Sequence, residues 1–312
     1  MPRKIEVQPH NPEWEQAFAL EADKVKKALG KNCITVHHIG STAVSDLLAK
    51  PVIDMMPIVK DITAVDRSYA ALQHLGYDAK GEAGILFRRY FPKGKDHRTH
   101  HLHVFEQDNP EIERHLRFKH WLRDHPSDRQ AYGDLKQRLV QQHPHDIYAY
   151  TSGKDSFMAH IAEKTDWQGK RIVMAFSPTE WRCYHDLVER YLFEPYGLTY
   201  DYQHDCIHSD KHFHFVQYKG SQIITAAHLE LLHNETDVAL RWLVSHPDHT
   251  HQSNSKTMLK MLETWSKQQG RLRMKMHATA NALPFFRHLG YREASFDDPS
   301  LFPNHTDLGK DL

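Results

Sequence analysis

The chain has 312 residues, which at ~150 residues per domain suggests two domains. It carries 40 Lys and Arg against 40 Asp and Glu, and this zero formal charge removes the general electrostatic reason to expect nucleic-acid binding. Hydrophobic residues make up 40%, enough for two cores and against wholesale disorder, and no apolar run approaches the ~18 residues of a membrane helix.

Histidine is the excess, with 27 residues that would raise the charge by roughly 13 if half were protonated near pH 6. The opening Met-Pro-Arg-Lys lacks the apolar stretch of a signal peptide. Cys33, Cys183 and Cys206 are odd in number and form no CxxC pair, so neither a disulfide frame nor a thiolate zinc site is expected. A cytoplasmic protein follows as the default.

The first element is a helix over residues 12–29, with Trp14, Phe18, Leu20, Val25 and Leu29 as its apolar face. A strand carrying Ile34 and Val36 leads into the loop His38-Ile39-Gly40-Ser41-Thr42. Residues 51–59 form an apolar strand holding one acid, Asp54, and a helix over 64–75 stops at Gly76. Strands follow at 85–91 and 101–105, then helices at 112–123, 127–142 and 155–164.

Composition breaks at residues 165–170, and the boundary is set near 168, giving domains of 1–168 and 169–312. After the break come a strand (171–176), a helix (179–193) and strands at 211–218, 222–232 and 236–245. Gly220 in the short turn between two alternating strands is a hairpin signal. A helix at 255–269 stopped by Gly270, a strand at 272–277, a helix at 281–289 and a last β-like segment complete the order. Both halves read as α+β.

In the first half, Gly40 and Ser41 precede Asp54 as in nucleotidyl transfer, which wants a glycine for backbone approach, a hydroxyl for phosphate and acids for metal. Acids at i and i+2 on a strand share a face, but the position two after Asp54 is Met56. A loop glycine and a strand-end aspartate would give the same pattern. His101 and His103 share one strand face while His100 faces the other; two imidazoles can begin a zinc site, which needs further ligands, or can line a pocket.

His38-Ile39-Gly40-Ser41-Thr42-Ala43-Val44, Lys50-Pro51-Val52-Ile53-Asp54, His101-Leu102-His103-Val104, the segment 118–123, and Tyr150 with Gly153-Lys154 together resemble the GrpB family over about residues 4–165. The resemblance implies a nucleotidyltransferase-like fold. It would put Gly40 and Ser41 at a phosphate, with Lys50, His101, His103 and Lys154 around an anionic ligand. Asp54 would be the first metal carboxylate, for Mg2+ with a nucleotide, and Glu106 could supply another acid. Met56 departs from the acid-x-acid pattern.

In the second half, Leu243-Val244-Ser245 ends a strand, residues 246–255 form a polar turn, and an amphipathic helix runs from Lys256. A pyrophosphate binds well at such a helix start, and a strand end splayed from its neighbour can pair with an amide-bearing ligand. This layout, with Ala280-Asn281-Ala282-Leu283-Pro284-Phe285-Phe286-Arg287-His288-Leu289-Gly290-Tyr291, resembles the GNAT acyltransferase superfamily over about residues 171–300. The resemblance implies acetyl-CoA (or another acyl-CoA) held at Leu243, Val244, Ser245, Gln252, Ser253, Asn254, Ser255, Lys256 and Asn281. Against that family's phosphate-loop pattern stand Thr250, Ser253 and Ser255, and Phe286 occupies the place of its frequent general-acid tyrosine. Proton removal from an amine would then fall to Glu230, with His228 or His233 as other candidates.

The expectation is an α+β fusion: a nucleotidyltransferase-like mixed sheet with helices, then a GNAT-like mixed sheet flanked by helices. Its function would be acyl transfer to a small-molecule amine, with a first domain that binds or modifies a phosphate-bearing ligand. The alternative is a non-catalytic nucleotide- and CoA-binding regulatory protein, motivated by Met56, Ser253 and Phe286; a zinc enzyme built on His101 and His103 is a third reading.

Overall fold

The computed structural model describes residues 4–207, 209–302 and 304–312, without the side chains at 205 and 250–252. In chain order the helices are α1 (Glu13–Leu29), α2 (Tyr69–His74), α3 (Pro110–Asp124), α4 (Pro126–Gln142), α5 (Ile147–Ser152), α6 (Asp155–Lys164), α7 (Pro178–Val188), α8 (Asn254–Gln268) and α9 (Leu283–His288). The strands are β1 (Cys33–Ile39), β2 (Ile53–Val59), β3 (Arg89–Lys93), β4 (His100–Glu106), β5 (Lys170–Met174) and β6 (His212–Lys219). They continue with β7 (Gln222–Leu231), β8 (Asp237–Ser245), β9 (Arg273–Thr279), β10 (Arg292–Glu293) and β11 (His305–Asp311). The chain divides into two compact units between Arg171 and Ile172.

The first unit has a four-stranded sheet in the order β1-β2-β4-β3, antiparallel at both edges and parallel between β2 and β4. Successive side chains point to opposite faces, and because both faces are covered β2 is buried almost throughout. Met55, Leu102 and Val104 pack with Trp14, Val25 and Leu29 of α1, while Met56, Ile58 and Phe105 pack with Ile112 and Leu116 of α3. Truncating a fully buried core residue such as Leu102 to alanine would cost about 2–5 kcal/mol. α3 starts where Asn109 accepts from the Glu111 N–H at 3.0 Å, with Pro110 in the first turn.

Two expected elements take other forms. The helix expected over 64–75 is a 3-10 segment, Thr63–Ser68, followed by the short α2. The strand expected from 85 begins only at Arg89, because Gly81, Ala83, Gly84 and Phe87 all adopt positive φ and break the extended run.

The second unit is a seven-stranded sheet in the order β10-β11-β9-β8-β7-β6-β5. α7 is opened by a capping box of Ser177 and Glu180 and ends at Val188, giving way to a single π turn, Glu189–Phe193. β7 and β8 pair antiparallel with one irregularity: His228 lies opposite Trp242 and Leu229 opposite Leu240, so Arg241 is the extra residue of a bulge. A bulge re-aims a side chain, and here it brings Arg241 to Glu230. β8 and β9 pair parallel only over Asp237–Ala239 and Arg273–Lys275, although β8 runs on to Ser245 and β9 to Thr279. The sheet is therefore split in its middle. No helix among the described residues is long and apolar enough to cross a membrane.

Candidate functional site

In the first unit the parallel register sets Asp54 of β2 directly beside His101 of β4. Period-2 alternation then adds His103 to the same face. His101 Nδ1 lies 3.1 Å and His103 Nε2 3.6 Å from Asp54 Oδ1. Burial alone would raise the Asp54 carboxyl, but the hydrogen bonds from the two imidazoles overcome it and hold it well below the usual carboxylate range. Tyr90 of β3 lies against both rings, with centroids 5.6 and 5.2 Å away. Gly40, at φ 69°, crosses over this carboxylate so closely that a Cβ would collide with Asp54 Oδ2; no other residue type suits the position.

Beside it is a cluster of lysines. Lys136 of α4, almost fully buried, donates to Ser41 Oγ at 3.0 Å and to the Leu48 carbonyl. Its ammonium sits 4.5 Å over the Tyr132 ring, and Lys50 and Lys154 share the Tyr150 ring at 5.1 and 4.7 Å. Burial, followed by the charges of Lys154 and Lys50, pushes Lys136 down to about 7. Burial and Lys50 push Lys154 down to about 8, opposed in part by Asp54 and Asp155. Among the described residues neither Lys136 nor Lys154 has a carboxylate ion-pair partner. A buried lysine on a serine hydroxyl, with two further lysines close enough to repel it, suits an anion.

Gly40, Ser41, Lys50, Asp54, His101, His103 and Lys154, each singled out from sequence, thus fall in one region. Two further expectations do not join them. Glu106 lies at the far end of β4, where Oε2 accepts from the Ile62 N–H at 2.8 Å, and Met56 is fully buried among Ile39, Ile58 and Phe105. One carboxylate with two imidazoles does not fit Mg2+, which demands oxygen ligands, so the expected Mg2+ has no suitable site here. Lys136 was missed. Its signal was a lysine on the same helical face as Tyr132 and Leu139, at spacings of four and three.

In the second unit a cavity of about 500 Å³ opens where β8 and β9 part, bounded by Leu240, Arg241 and Trp242 on one side and His277 on the other. Glu230 lies in it, with Arg241 donating to Glu230 Oε2 through Nε at 2.7 Å and through Nη2. Arg241 also pairs with Asp298. Cross-strand register places His212 opposite Glu230, and His214 opposite His228. His212 Nδ1 is 2.8 Å from His228 Nε2, while His212 Nε2 is 3.7 Å from Glu230 Oε1.

Burial, reinforced by the charges of His214 and His212, depresses His228 well below the ordinary histidine value. Burial also lowers His212, with Glu230 opposing. Both imidazoles are therefore neutral at pH 7, when a neutral ring can accept a proton. His212 was not singled out from sequence, although His212-x-His214 opposite His228 was a readable i, i+2 pattern.

Of the residues expected at a coenzyme, Leu243, Val244 and Ser245 lie on β8 beyond its pairing with β9. Ser245 Oγ contacts Thr225 Oγ1 at 2.9 Å and Ser255 Oγ at 2.8 Å, tying the strand end to the start of α8. Ser253 adopts the left-handed conformation (φ 57°), Asn254 is buried with Oδ1 unpartnered, and the first turn of α8 holds no acid. Lys256 lies in that turn, the Gln252 side chain lies outside the described residues, and Asn281 is exposed in the turn between β9 and α9. His233, on the chain beyond β7, contacts Lys211 Nζ at 2.9 Å.

The second unit is similar to an acetyltransferase of the GNAT family from Staphylococcus aureus, 15% identical, covering 46% of this chain and 99% of that one at a TM-score of 0.38. The N-terminal half is similar to the crystal structure of GrpB from Enterococcus faecalis, 42% identical, covering 51% of this chain and 96% of that one at a TM-score of 0.50. It is also similar to the UPF0157 protein YqkA of Bacillus subtilis, 45% identical over 161 residues, a match that takes in 52% of this chain and 47% of the relative. The chain thus matches about half the length of that curated relative. The family model described as GrpB protein matches residues 4–164, just over half of the 312 residues, and with the Asp54–His101–His103 face and the Gly40-Ser41 loop in that span, the chain belongs to the GrpB family.

Proposed function

We propose that the second unit is an acyl-CoA-dependent N-acyltransferase acting on a small amine, and that the first unit binds a phosphate-bearing ligand. The observation that carries the acyltransferase reading is the cavity lying where β8 leaves β9. Strand backbone left without a neighbour can take the amides of a pantetheine arm along Leu243–Ser245. The start of α8, free of acids and reached through Ser245–Ser255, suits a pyrophosphate. The thioester supplies an activated acyl group; the chain's residues do the rest.

The amine nitrogen bonds to the acyl carbon as the thioester C–S bond breaks and coenzyme A leaves as its thiol, and the amine must lose a proton on attack. We assign its acceptance to His212, with His228 behind it, rather than to Glu230. Glu230 Oε2 already accepts two N–H bonds from the Arg241 guanidinium, so its lone pairs are directed to Arg241 rather than to an incoming amine. Glu230 instead holds Arg241 and faces His212 Nε2, where it favours the imidazolium as it forms. Aromatic Trp242 and Phe296 with acidic Glu230 and Asp298 line the same cavity, a combination that attracts a cationic amine.

Titrating the full chain with acetyl-CoA in a calorimeter tests the first half of this reading. Saturable heat and a thermal shift are expected. Neither at millimolar acetyl-CoA would remove it. In the first unit, Ser41 and Lys136 carry the reading, and inorganic pyrophosphate is the probe.

A further inference from the structure

The misfit with Mg2+ leaves the Asp54–His101–His103 group without a role. We propose that Asp54, His101 and His103 form a mononuclear site for a divalent transition-metal ion of the zinc, cobalt or manganese type, with coordination positions left open. One ligand atom from each residue lies within 4.8 Å of the others, the spread from which three donors can converge on a common ion. The two imidazole nitrogens are borderline ligands, favoured by first-row transition metals over magnesium or calcium, and the adjacent carboxylate adds a negative oxygen donor that those metals also accept.

The group is also held in place. Asp54 and His101 are fixed by the parallel register, and the Tyr90 ring backs both imidazoles. Gly40 denies the space behind Asp54 Oδ2 to any side chain, so the carboxylate keeps its aim. His101 Nε2 is buried without a hydrogen-bond partner, so that ring's hydrogen bonding is through Nδ1 on the Asp54 side.

Arg88 Nη1 lies 3.3 Å from His103 Nδ1, while the same guanidinium donates to the carbonyls of Glu82 and Ala83 at 3.0 and 2.7 Å. Binding through His103 Nε2 puts the proton on Nδ1, so Arg88 would give up that contact and keep its two carbonyls. A fixed cation next to the ion opposes a fully protein-coordinated dication and favours one whose open positions carry water or an anion. The inference does not depend on acyl transfer.

The full chain, made without a histidine tag and stripped with chelator, should be titrated with Co2+. One equivalent giving visible d–d absorption is expected, with at least tenfold weaker binding in His103→Gln and Asp54→Asn. His100→Gln, on the opposite face, should match the parent. With 27 histidines and two further clusters, at Cys206/His214/His228 and His277/His305/Asp307, weak binding elsewhere is expected. An affinity for the first equivalent of Co2+ unchanged in His103→Gln, or no absorption in the parent, would overturn the site. If a variant does not fold, the parent decides: Zn2+ must protect His101 and His103 from diethyl pyrocarbonate, read by mass spectrometry, and unprotected residues would equally overturn it.

Discussion

The two units present opposite charges to a ligand, and they do so with different geometry. The first gathers Lys50, Lys136 and Lys154 onto tyrosine rings beside a serine and a glycine loop, a compact cationic recess. The second opens a cavity of about 500 Å³ lined by aromatic rings, histidines and the acids Glu230 and Asp298 with Arg241 between them. Histidine excess serves both, but differently. In the first unit imidazoles hold a carboxylate; in the second they pair with each other, His212 to the buried His228. The contrast teaches that a lysine-rich recess and an acid-lined cavity can share a chain of zero net charge, a balance that composition averages away.

The largest expected effect is on proton transfer in the second unit. His212→Gln should lower kcat for amine acylation by about 10²–10⁴-fold with little change in the KM for acetyl-CoA, measured by steady-state kinetics. Because burial lowers His212, the acid limb of kcat/KM should lie below pH 6.5, the ordinary value for histidine. A limb above pH 7 would assign the base elsewhere.

Next comes acid stability, which both units should share. His38 and His214 are pushed down to about 4 by burial, so unfolding takes up protons at pH values below 6.5. Stability from each is present above pH 6.5 and is lost as pH falls from there towards about 4, by roughly 3 kcal/mol for a shift of that size. Denaturant melts at pH 7 and pH 5 should show a steep loss in both units, whereas a loss confined to one would sharpen the contrast between them.

Smaller still is the effect of Lys136→Met. It should weaken pyrophosphate binding about tenfold, yet leave the unliganded chain no less stable, since it removes a desolvated cation of similar volume. Calorimetry and thermal melts read the two arms separately. The smallest effect is at Ser253, whose left-handed backbone costs a non-glycine residue about 1 kcal/mol. Ser253→Gly relieves that strain while loosening the unfolded chain, so stability should hold within about 0.5 kcal/mol. Its closer backbone should lower the KM for acetyl-CoA two- to threefold.

Much of this was legible in the residues. The His101/His103 face and the strand–turn–helix leading to α8 follow from period and local signals. Gly40, Ser41 and Asp54 stood out through the GrpB resemblance, and the structure brings Asp54, His101 and His103 onto one sheet face. What was not legible depends on contacts distant in sequence. Lys136 meets Ser41 across 95 residues, and Arg241 reaches Glu230 only because a bulge turns it inward. Glu230 looked like a free base until that guanidinium was in view. The split between β8 and β9 was anticipated as a type of feature, but its extent is a property of the sheet's register.

The account stands on acyl transfer through His212, and one measurement addresses it directly. Coenzyme A released from acetyl-CoA should be followed by liquid chromatography over a panel of small primary amines and polyamines, with the parent chain and His212→Gln side by side. The account predicts amine-dependent release by the parent, reduced at least a hundredfold in the variant. Release that is independent of amine, or equal in both proteins, would contradict it.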